Sequence, residues 1–115
     1  MITFIKRKDL TETSPYNMGS LSGNITPNIN NGNRQYLTAT GNITILEPIN
    51  GNNYDFMELW VTTNSGNLTL DISGITTPTQ SGLVFPITLE DSKSKKLKFE
   101  KIFNQWNLVT VIGDY

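Results

Sequence analysis

From residue 21 onward, apolar side chains recur at every second position in short runs separated by Gly, Asn, Pro or Ser. A period of two puts alternate side chains on opposite faces of a strand, so the pattern predicts a succession of short β-strands. Residues 35–40 read as one strand and 43–47 as another, closed by Pro48. Residues 55–63 carry apolar side chains on both faces, as expected of a central strand. In 67–73, Leu68, Leu70 and Ile72 alternate inward against Thr69 and Asp71. Pro86 interrupts 83–89 and demotes it to an edge strand or two short pieces. Residues 95–103 turn at Asn104-Gln105 and return as 106–112. This last hairpin runs almost to the final residue, so the C-terminus is expected to belong to the fold.

One motif recurs. Gly23-Asn24-Ile25-Thr26 returns as Gly41-Asn42-Ile43-Thr44 and, with one change, as Gly66-Asn67-Leu68-Thr69. Gly-Asn supplies the positive φ of a tight turn, and the apolar/Thr alternation after it starts a strand. The copies are unequally spaced, which predicts repeated hairpin turns and not a solenoid repeat. About eight strands with frequent turn signals predict an all-β fold, an antiparallel β-sandwich of jelly-roll type. Ahead of it, residues 7–20 carry charge, Pro15 and Gly19 without clear periodicity. Residues 2–6 suit a short strand or extended arm, and 9–13 a weak helical turn. The organisation expected is an N-terminal arm or attachment segment over 1–20 and a β-domain over 21–115.

Composition supports this picture. The 115 residues include 14 Asn and 15 Thr, residues suited to turns and pleated surfaces respectively. The net charge of −1 provides no long-range attraction to nucleic acid or acidic lipid. With no Cys there is no disulfide framework, and with no His an ordinary Ser-His-Asp triad is excluded. The N-terminal residues lack the apolar run of a secretory signal, and no stretch is long enough to span a bilayer.

A few groups invite a chemical reading. Glu58 and Asp71 fall on neighbouring predicted strands and would form a glycosidase pair only if they faced each other across a groove; the simpler reading has each facing solvent or a lysine. Asn50-Gly51-Asn52-Asn53-Tyr54-Asp55 places oxygen ligands at alternate positions, but a single carboxylate makes it first a turn. Lysines at 93, 95, 96, 98 and 101 alternate with Leu97 and Phe99, the pattern of a half-buried strand with a charged outer face. Tyr36, Tyr54, Trp60, Trp106 and Tyr115 would suit a sugar-binding face or, for the tryptophans, core anchors. The sequons at Asn24, Asn42 and Asn67 read as turns.

Gly41-Asn42-Ile43-Thr44-Ile45, residues 54–63, Gly66-Asn67-Leu68-Thr69-Leu70 and the closing Trp106-Asn107-Leu108-Val109 with Gly113-Asp114-Tyr115 together resemble the small β-structured virion proteins of tailed bacteriophages. That group includes fibre heads, tail-tip modules and capsid decoration or head-fibre proteins. The resemblance covers residues 35–115; the chain departs from it in lacking a long shaft, and no set of functional residues carries over. It implies a non-enzymatic virion component without cofactor or metal, made in the host cytoplasm and placed on the particle exterior. The partners it implies are other copies of the chain, as trimer or dimer, and virion proteins such as the major capsid protein. Neither nucleic acid nor membrane is among them. The alternative is a module binding a host surface glycan or receptor at a tail tip. The residues expected to touch a ligand or partner are Tyr36 and Tyr54 in the β-domain and Lys6, Arg7 and Lys8 in the arm.

Overall fold

In the computed structural model, residues 14–77 and 84–113 are described, and they form seven strands with one three-residue 3-10 turn at Ile29–Asn31. The strands are β1 (Tyr16–Ile25), β2 (Arg34–Ile45), β3 (Phe56–Thr63), β4 (Leu68–Ile72), β5 (Ile87–Leu89), β6 (Ser94–Ile102) and β7 (Gln105–Gly113). The expected 2–6 strand and 9–13 helical turn lie outside the described residues, as do Asp114 and Tyr115.

The chain is all-β, but the sheet is mixed. β1 runs parallel to β2 along most of its length, from Tyr16 opposite Gln35 to Ile25 opposite Ile45. The first half of β2 pairs in parallel with β3, and its last residues pair in parallel with β4. Only the additions at the end are antiparallel: β6 on β3, β7 on β6 and β5 on β4. An antiparallel sheet throughout, built of hairpins, is therefore not what forms. The β2 that replaces the expected pair of strands at 35–40 and 43–47 is one bent strand, with register shifts in its pairing to β1. Residues 16–20, the last part of the expected arm, form the first half of β1.

Parallel neighbours require the chain to return to its starting end between strands, ordinarily through a helix. Here the return segments pair with each other instead. Leu46 N–H donates to Ile25 O, Ile49 N–H to Pro27 O, Ile29 N–H to Ile49 O and Ser73 N–H to Ile45 O. Successive segments thus stack like turns of a coil, and the Gly-Asn copies lie on consecutive levels of it. Asparagine side chains fasten the levels, as Asn50 Nδ2 donates to Asn28 Oδ1 and Asn42 Oδ1 accepts from Thr69 N–H. Gly23 and Gly66 do adopt the left-handed φ that the motif predicted, +80° and +92°. Gly41 is absent from that region and instead lies close against Ser22.

The curl brings the inward positions of all segments into one cluster. Leu37, Ala39, Ile43 and Ile45 of β2 meet Met57, Leu59 and Val61 of β3, Leu70 of β4, and Leu97, Phe99, Trp106 and Leu108 of the final hairpin. Gln35 is the polar exception: it is fully buried, and its Nε2 donates to the carbonyls of Asn28 and Gly32. Thr63, also buried, donates to Gly66 O and accepts from Ser65 N–H, which fixes the turn after β3.

Candidate functional site

Because inward positions alternate with outward ones, the layer β1-β2-β3-β6-β7 also presents a defined outer face. Asn17, Tyr36, Trp60, Lys96 and Ile112 stand level on its five strands. On one side of this row run Thr38, Thr62 and Ser94, and on the other Arg34, Glu58, Lys98 and Thr110. The Lys96 ammonium sits 5.3 Å from the Trp60 ring centroid and that of Lys98 5.6 Å from Phe56, within the range of cation–π attraction. Arg34 Nε lies 3.4 Å from Glu58 Oε1. These three long cations are thus held along the sheet, each head over an aromatic ring or against a carboxylate.

Next to this row is a shallow open groove of about 300 Å³, lined by Pro15, Tyr36, Leu37, Trp60, Thr62 and Ser94. Tyr36 and Trp60 are direct partners across the parallel β2–β3 pair, so their rings rise side by side from strands ~4.8 Å apart. Thr62 Oγ1 donates to Lys93 O, which leaves its lone pairs as acceptors.

The residues expected from the sequence separate on this structure. Tyr36 is on the outer face and lines the groove. Tyr54 is highly exposed, but it sits on the turn before β3 at φ +74°, its N–H donating to Lys101 O, and it is not part of the groove lining. Lys6, Arg7 and Lys8 lie outside the described residues. Trp106 is fully buried beneath Gly51 and is a core anchor. Trp60, grouped in the sequence with the aromatics of a sugar-binding face or core but not among the residues expected to touch a ligand, lines the groove; its signal was its position in step with Glu58 and Thr62, out of step with Leu59 and Val61.

Glu58 and Asp71 are not brought together. Glu58 stands level with Arg34 and Asp71 with Thr44, toward opposite ends of β2. The straight stretch from Arg34 to Ala39 alone spans ~16 Å, more than a glycosidase pair tolerates. In the loop at 50–55, Asp55 Oδ2 accepts from Asn52 N–H, so its carboxylate builds the turn. Among the described residues no group of three or more Asp, Glu, His or Cys is placed to hold a metal ion, and no helix is long and apolar enough to cross a membrane. The chain matches no protein-family model, no curated protein and no solved structure.

Proposed function

We propose that this chain is a non-enzymatic structural protein of a tailed-bacteriophage virion. It sits on the particle exterior as a capsid decoration or fibre component, attaches through its N-terminal residues and self-associates through its β-domain. The observation that supports self-association is the pair of strands bounding the larger layer. Among the described residues β1 is paired on one side only, and β7 is met on its far side only near its start, by Thr76. Val109 at the middle of β7 and Ile112 near its end are 48% and 41% exposed. A strand edge of this length with exposed apolar side chains offers both backbone hydrogen bonds and burial to a second copy. The phage assignment rests on the resemblance in the strand and turn sequences.

Attachment is tested by deleting residues 1–13, which leaves β1 whole. The truncated chain should fold and associate like the full one yet fail to bind virions assembled without the protein. Undiminished binding to those particles would overturn the role of the N-terminal residues.

A further inference from the structure

The groove beside the aromatic row lies on the outer face of the layer, lined mainly from β2, β3 and β6 with Pro15 just ahead of β1, so pairing through the strand edges leaves it unexplained. We infer that it is a binding site for an acidic saccharide, of the hexuronic-acid class. Three features of the groove carry this.

The first is the pair of adjacent rings. Tyr36 is 36% exposed, and with its neighbour Trp60 and Pro15 it gives the groove a largely apolar lining. Such a surface suits the apolar face of a pyranose and loses little conformational entropy on binding. The second is the hydroxyl rim. Thr62 and Ser94 line the same groove, and the Thr62 hydroxyl, whose O–H already donates to Lys93 O, is left as an acceptor for a ligand O–H. The third is charge. Lys96, on the strand that carries Ser94, is held over the ring of Trp60, which itself lines the groove. Arg34, one row further away, is already matched by Glu58. Lys96 therefore meets a single anionic substituent. A run of phosphates would instead meet Glu58 and Glu100 interleaved with the lysines of this face, which disfavours nucleic acid. A proline-rich peptide would use the rings but leave Lys96 without a counterpart. The volume of about 300 Å³ is at the lower end for ligand clefts, which run ~300–1,000 Å³, and fits one or two sugar rings.

The test uses the two indole N–H signals of the ¹⁵N-labelled full chain, one from Trp60 and one from the buried Trp106. Trigalacturonic acid at millimolar concentration should shift the Trp60 signal and leave that of Trp106 in place. Tyr36→Ala should weaken the binding about three- to tenfold. Lys96→Gln should weaken it for the acidic trisaccharide and not for its neutral galactose counterpart. Three outcomes overturn the proposal: no shift of Trp60, a shift insensitive to both substitutions, or a shift produced by a proline-rich decapeptide and not by the sugar. Light scattering on Tyr36→Ala separates this from the association reading, because the strand edges are untouched and the mass should equal that of the unmodified chain.

Discussion

The two ends of the larger layer are built by opposite routes. β6 and β7 are neighbours in sequence, joined by a two-residue turn in which Phe103 and Asn104 both have positive φ, +50° and +64°. That is the turn geometry that matches strand twist in a hairpin. β1, β2 and β3 pair across long connections, Tyr16 with Gln35 and Gln35 with Leu59. In the hairpin, strand alternation alone decides what each side chain does. In the stacked half, alternation must be supplemented by side chains that hold one level to the next, and asparagine supplies them at Asn28, Asn42 and Asn50. High asparagine content here serves the stacked ladder as well as the turns.

The sharpest way to probe the comparison is to ask whether the halves unfold together. Trp106 belongs to the hairpin yet packs on Gly51 of the stacked half, beside which Ile29 also lies. Trp106→Ala should therefore cost about 3–5 kcal/mol and lower a single denaturant transition read at both ends; two separate transitions would break the account. Gly51→Ala examines the same seam from the other side. A Cβ there would lie 2.7 Å from Trp106 Cζ2 and 3.2 Å from Ile29 Cγ1. Because the φ of Gly51 is not in the left-handed region, the cost of about 1–3 kcal/mol is steric, and Trp106→Phe in the same chain should recover part of it. A full cost unrelieved by Trp106→Phe would place the strain elsewhere. The smallest effect concerns the fastening of levels. Asn42→Ala removes the acceptor of Thr69 N–H and should cost about 0.5–1.5 kcal/mol, with faster hydrogen exchange at Thr69. Unchanged exchange there would remove Asn42 from the ladder.

Much of the strand pattern was legible in the sequence because it depends on neighbours. The 67–73 alternation became β4, the Pro86 interruption left only the short β5, and the lysine-rich strand buries Leu97 and Phe99 beneath a charged outer face. The last hairpin was legible too, with its turn one residue earlier than expected, at Phe103-Asn104. Parallel pairing was not legible. Gly-Asn has the same backbone preference in a hairpin as within a long strand, and the unequal spacing of its copies hid the stack, because the second interval also holds β3. The groove suffered the same loss. Tyr36 could be named from its position in an alternating strand, whereas its partnership with Trp60 exists only once β2 and β3 are known to run parallel. Tyr54, named alongside it, is an exposed turn residue with its backbone tied to Lys101.

In the proposed assembly, the strand edges left unpaired among the described residues on β1 and the far half of β7 meet a second copy of the chain. Light scattering on the full chain across a concentration series tests it most directly. The account predicts a stable mass of two or three times 12.9 kDa, falling toward one chain when Val109 and Ile112 are both replaced by lysine. A mass of 12.9 kDa at every concentration would contradict it.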